Sequence, residues 1–123
     1  MARNLETRLH ISLLHYLLAV LPLKAAATLT HVANGENRNP VTGALLKRMG
    51  MRRGVEDLQF IWDGIHYAIE IKIPGAYQSP YQKEREAAVV AAGGFYAVSR
   101  STQDIDDLLA HWNIPTRAKA GLR

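Results

Sequence analysis

Apolar positions along the chain recur with two different periods, and the switches between them mark out the elements. Leu5, Leu9, Leu13, Tyr16, Leu17 and Val20 return at helical spacing, which predicts an amphipathic helix over about Asn4 to Leu21, stopped by Pro22. "TLTHVANG" reads as a short strand ending in an Asn34-Gly35 turn, and "ENRN" as a polar loop. A second helix follows in "PVTGALLKRMG", with Asn39 as N-cap, Pro40 at the first helical position and Gly50 at the C-cap. In "DLQFIWDGIHYAIEIKIPG" the period falls to two, and Asp63-Gly64 is the preferred two-residue type I′ turn between two runs of strand formers. If Trp62 pairs with Ile65, then Phe60 faces Tyr67, Leu58 faces Ile69 and Asp57 faces Glu70. One face of that hairpin carries Leu58, Phe60, Trp62, Ile65, Tyr67, Ile69, Ile71 and Ile73. The other carries Asp57, Gln59, Ile61, His66, Ala68, Glu70 and Lys72.

Beyond the hairpin, "SPYQKEREAAVVAAGG" places Ser79 as N-cap, Pro80 first, Gln82 third, and a Gly93-Gly94 stop. "FYAVS" is an apolar strand suited to a parallel or central position. "STQDIDDLLAHW" is a last helix whose early acids complement its dipole. The basic tail "NIPTRAKAGLR" is expected to fray. The order helix, strand, helix, hairpin, helix, strand, helix predicts an α/β domain, a mixed sheet with helices packed on it.

At 123 residues the chain fits one domain with a real core. Its 48% hydrophobic and 21% charged residues exclude a disordered or fibrous class. A net charge of +4 and a pI near 9.6 favour polyanionic partners. The absence of cysteine removes disulfides and thiolate zinc sites, fits a reducing cytoplasm, and leaves oxygen and imidazole as metal ligands. A hard cation suits that set. The apolar stretch "ISLLHYLLAVLPLKAAA" resembles a signal peptide on hydropathy alone, but His10 and His15 interrupt it, Glu6 precedes it and its periodicity is that of a buried helix. It is also too short and too polar to span a bilayer, so no membrane association is expected.

The polar face of the hairpin raises a question of charge. Two carboxylates about 5 Å apart across an antiparallel pair repel by roughly 3 kcal/mol at an effective dielectric near 20. A divalent cation between Asp57 and Glu70 resolves this, since Mg²⁺ is commonly held by one or two carboxylates with water and substrate phosphate. Lys72, two residues on and on the same face, can then reach a phosphate oxygen or the attacking water. The competing reading makes Asp57 a loop acid and Glu70 and Lys72 an exposed ion pair worth about 0 to 1 kcal/mol. Spacing alone leaves both open.

These residues resemble an ordered set of motifs in the virus-type replication-repair nuclease (VRR-NUC) family of the PD-(D/E)XK nuclease superfamily. "HVANGENRNPVTGALLKRMGMRRGVEDLQF" resembles the Asn-Gly stretch, small helix and Gly-Val-x-Asp motif; "AIEIK" resembles the E-x-K; "SPYQKE" the Ser-Pro-x-Gln helix start; "AAGGFYAVSRS" the closing strand. The resemblance covers about residues 5 to 110. It implies a restriction-endonuclease-like core over about residues 5–112, with a basic tail at 113–123, in one nuclease domain. It further implies Mg²⁺ or Mn²⁺ held by Asp57, Glu70 and the carbonyl of Ile71, with Glu6 of the first helix as a further ligand candidate. Lys72 becomes the catalytic lysine and Gln82 a residue beside the site, although Ser79 and Gln82 equally form a capping box. Where the family has proline before the aspartate, this chain has Glu56, an acid that would either face solvent or perturb the site.

The implied reaction is hydrolysis of a DNA phosphodiester, on branched DNA in the manner of Holliday junction resolvases, by a homodimer in the cytoplasm of a bacterium or phage-infected cell. A flap or end-directed nuclease shares the chemistry, and a non-catalytic DNA-binding dimer is the alternative from another class. Lys47, Arg48, Arg52 and Arg53 are placed to grip phosphates, their alternative being a solvated basic face. Asn34 is a further candidate for DNA contact. His31 and His66 read as satisfied or exposed surface histidines, with substrate contact as their alternative, Trp62, Tyr67 and Trp112 as core or interface, and the apolar first helix as core or part of a dimer contact.

Overall fold

The computed structural model describes residues 2–33 and 40–117. The Asn34-Gly35 turn, the loop after it, Asn39 and residues 118–123 lie outside them. The elements run α1 (Ala2–Val20), α2 (Leu23–Ala26), β1 (Thr30–His31), α3 (Pro40–Arg48), β2 (Leu58–Trp62), β3 (Ile65–Ile71), α4 (Pro80–Ala91), β4 (Phe95–Ser99) and α5 (Thr102–His111). The four strands form one sheet in the order β1-β2-β3-β4. β1, β2 and β3 pair antiparallel and β4 pairs parallel to β3. This is the mixed sheet expected, with β4 parallel but at the sheet edge. The four-residue α2, unforeseen, is too short to display a helical period. It begins directly after Pro22, whose backbone (φ −52°, ψ 144°) is extended.

The hairpin follows the expected register, with Trp62 opposite Ile65, Phe60 opposite Tyr67 and Leu58 opposite Ile69. Asp63 and Gly64 both take positive φ, +53° and +75°, as a type I′ turn requires. The ladder ends at Leu58, so Asp57 is not a strand partner of Glu70 as expected from the alternation. It sits just beyond the last pair and turns its side chain back: Asp57 Oδ2 accepts from the Ile71 N–H at 2.7 Å.

Two layers of helix enclose the sheet. On one face, Leu13, Leu17, Val20 and Leu21 meet Leu58, Phe60, Tyr67 and Ile69 from the hairpin and Ile105 and Leu109 from α5, all buried. Tyr67 stacks between Phe60 and Phe95, at 5.2 and 5.0 Å between ring centres, with Trp112 tilted against it. Burying a large apolar side chain contributes about 1.5–3 kcal/mol, so this face carries most of the fold's stability. The other face, under α4, has a much smaller apolar cluster of Ala68, Val89 and Tyr96. The beginning of the tail does not fray. Ile114 is buried, and Arg117 donates from its backbone N–H to the Val20 carbonyl at 2.8 Å and from its guanidinium to the carbonyls of Leu21 and Leu18. These carbonyls at the end of α1 lack helical partners of their own, and Arg117 supplies them.

Candidate functional site

β2 begins and β3 ends at the same edge of the sheet, and there the first half of α1 and the first turn of α4 flank an open cleft of about 510 Å³. Glu6, Asp57, Glu70, Ile71, Lys72 and Gln82 line it, together with His10 and His31. Every residue proposed from the motifs as ligand or catalytic group therefore lies on one concavity.

The geometry is held from several sides. Gly54 (φ +74°) approaches the first turn of α4 so closely that a Cβ there would lie 2.4 Å from the Tyr81 carbonyl carbon and oxygen. No residue with a side chain fits, which explains the glycine of the Gly-Val-x-Asp motif and seats the segment before Asp57 against α4. The Asp57 carbonyl accepts from the Val32 N–H at 3.2 Å and lies 2.7 Å from His31 Nδ1, tying it to β1. Gln82 serves both roles considered for it. Its Oε1 accepts from the Ser79 N–H at 2.8 Å while Ser79 Oγ accepts from the Gln82 N–H at 3.1 Å, closing the capping box. Its Nε2 donates to Glu70 Oε2 at 2.6 Å. One amide can do both because the cap uses its oxygen and the site its nitrogen.

Glu70 is 3% exposed, so the reading of an exposed ion pair with Lys72 does not hold. Lys72 Nζ stands 3.8 Å from Glu70 Oε2, longer than a close hydrogen bond. Burial pushes the Glu70 carboxyl up to about 9, aided by the charge of Asp57 and a hydrogen bond between the two carboxyl groups, with Lys72 and Tyr96 only partly offsetting them. The buried carboxyl of Glu70 thus favours its protonated form, as a carboxyl does where a like charge stands beside it. Two carboxyl groups in a cleft, with the Ile71 backbone beside them, form an oxygen donor set in which a divalent cation can take the place of a proton. The residues fit Mg²⁺ or Mn²⁺.

Glu56 neither faces solvent nor enters this cleft. It is fully buried beneath α4, where Arg85 Nε donates to Oε1 at 2.9 Å, Gln59 Nε2 donates to Oε2 at 2.8 Å, and His66 Nε2 lies 3.1 Å from Oε2. Burial pushes its carboxyl up, but Arg85 and the other donors outweigh burial and hold it below the usual carboxylate range. Of the readings open for His66, the hydrogen-bonded one holds: it is half-buried in this cluster. The acid in place of the family's proline is a structural anchor whose partner comes from 29 residues away, a pairing with no local signal.

Among the phosphate-contact candidates, Lys47 and Arg48 are exposed at the end of α3, and Arg52 and Arg53 are exposed on the loop before β2. Arg53 donates to the Tyr81 hydroxyl at 2.8 Å and lies over its ring. Asn34 lies outside the described residues. Sequence reading missed the approach of His10 to the site. Its ring stands edge-on to His31 at 4.6 Å, and one ligand atom from each of His10, His31 and Asp57 lies within 4.8 Å of the others. Its position on the polar margin of α1 was the only signal.

A mixed four-strand sheet between helical layers, with a carboxylate pair and a lysine where the central hairpin strand ends, is a restriction-endonuclease-like α/β fold. Among solved structures the chain is similar to one named VRR_NUC domain protein, with a TM-score of 0.68 and 20% sequence identity, covering 87% of this chain and 86% of that one. At that identity the likeness is one of fold, and it supports the family resemblance carried by the motifs. No family model and no curated protein matches the chain.

Proposed function

We propose that the protein is a divalent-metal-dependent nuclease of the VRR-NUC type that hydrolyses DNA phosphodiesters. The observation that carries this reading is the buried Glu70 carboxyl beside Asp57, kept from ionising by its surroundings and faced by Lys72 at 3.8 Å. Asp57, Glu70 and the Ile71 carbonyl hold the cation, with Glu6 across the cleft as a further ligand. When bound, the ion polarises the scissile phosphate and lowers the pKa of water. Gln82 fixes the Glu70 carboxylate through its amide nitrogen. Lys72 aims an ammonium at the charge that develops on the phosphate or orients the nucleophile. Lys47, Arg48, Arg52 and Arg53 contact phosphates on either side, which fits the net charge of +4.

We further infer a branched substrate and a homodimeric, cytoplasmic enzyme, supported by the motif resemblance and by the lack of cysteine. Among the described residues no helix is long and apolar enough to cross a membrane. The test is cleavage of labelled four-way junction, flap and linear duplex with Mg²⁺ or Mn²⁺. Junction cutting that stops with chelator is expected. Glu70→Gln should abolish it and Lys72→Ala should slow it by about 10²–10³-fold, both with binding largely kept. Cutting indifferent to chelator would remove the metal-dependent reading; preference for flap or ends would move the substrate assignment and leave the chemistry.

A further inference from the structure

We propose that His10, His31 and the Asp57 carboxylate form an imidazole-bearing cation subsite that takes a first-row transition ion in preference to magnesium. This deepens the nuclease reading and rests on it for the shared ligand Asp57.

Three separate elements converge here: His10 from α1, His31 from β1, and Asp57 from the segment entering β2. Their ligand atoms lie within 4.8 Å of one another. Around an ion with bonds of about 2.1 Å, tetrahedral ligands stand about 3.4 Å apart, so small movements of the His10 ring and the Asp57 carboxylate toward His31 close the set. The orientation of His31 is already fixed. Its Nδ1 lies 2.7 Å from the Asp57 carbonyl, which can only accept, so Nδ1 donates there and Nε2 is the nitrogen a neutral ring offers to an ion. A ring nitrogen held by a backbone carbonyl while the other remains basic is the usual arrangement of a metal-ligating histidine. His31 is exposed and His10 half-buried at the wall of the cleft, so an ion can enter and keep open positions for water. Imidazole suits zinc, cobalt, nickel and iron, whereas magnesium prefers oxygen alone. The Asp57–Glu70 side is thus the magnesium side, and the histidine side selects transition ions.

The test uses the full chain with Co²⁺ and Mg²⁺ as probes, read by visible absorption and calorimetry. His10→Asn and His31→Asn should each weaken Co²⁺ binding by about tenfold or more while moving Mg²⁺ affinity less than about twofold. Asparagine at 31 retains an amide N–H near the place of Nδ1, so the tie to Asp57 persists while Nε2 is lost. Independently of any variant, X-ray absorption of Co²⁺ bound to the wild-type protein should show imidazole scattering. Its absence, unchanged Co²⁺ affinity in both variants, or parallel loss of both ions would overturn the subsite. Failure of the nuclease reading is seen separately, as no cutting by wild-type protein in Mg²⁺ or Mn²⁺.

Discussion

Glu56 and Glu70 lie on the same side of the sheet, under the same helix, and both are almost wholly withdrawn from water. Their treatment is opposite. Glu56 meets the Arg85 guanidinium and is held ionised below its ordinary range. Glu70 meets the Gln82 amide, a second carboxyl group and a lysine at some remove, and is pushed up to about 9. Glu56 finds its counter-ion within the chain, whereas Glu70 has no cation at close hydrogen-bonding distance and, on the function proposed above, is completed by an outside one. The contrast explains how this fold tolerates an acid where the motif it resembles has proline: Glu56 has its own counter-ion in Arg85, one turn along α4 from Gln82.

The comparison can be broken most severely at Glu56. Glu56→Gln leaves the Arg85 guanidinium partly buried and uncompensated, so a loss of about 3–5 kcal/mol is expected in denaturant unfolding. Glu70→Gln should instead leave the metal-free protein no less stable at neutral pH, because it replaces a carboxyl that is already protonated there. Comparable losses in both variants would erase the distinction. A smaller effect sharpens it through pH. The folded Glu70 pair binds a proton that the unfolded chain releases near pH 4.5, so the native state holds more protons between there and about 9. Stability of the metal-free protein should fall as pH rises through that window, and Glu70→Gln should flatten the slope of melting temperature against pH. Glu56 contributes with the opposite sign, its stabilisation being lost as pH falls through its depressed value. Saturating Mg²⁺ should displace the proton from the Glu70 pair and also flatten the alkaline slope. Smallest is Gln82→Ala, which should lower stability by about 1 kcal/mol through the lost cap while loosening Glu70. Gln82→Glu keeps an oxygen for Ser79 but removes the donor to Glu70, so it should weaken Mg²⁺ binding far more than it disturbs the helix.

Much of the fold was legible because its determinants are local. Asp63-Gly64 permits only a tight turn of one hand, and a tight turn fixes every pair from Trp62–Ile65 to Leu58–Ile69. Ser79, Pro80 and Gln82 start α4 by rules that act within four residues. The cleft was legible in part, since Glu70, Lys72 and Gln82 sit on elements of predictable phase. Extending the ladder by one residue misplaced Asp57, whose backbone leaves the strand to meet β1 and whose carboxylate is captured by the Ile71 N–H. Non-local features left no trace in the pattern: the Glu56–Arg85 pairing, the His10–His31 approach and the docking of Arg117 all depend on where whole elements come to rest.

The clamp of Arg117 has a mechanical consequence. It fixes the far end of α1, and Tyr16, bonded to Asp106 at 2.6 Å, holds the same half of the helix. The turns bearing Glu6 and Thr7 are exposed and project over the cleft. α1 is therefore rooted in the hydrophobic interior along its far half, while the turns bearing Glu6 and Thr7 give the cleft its solvent-facing wall.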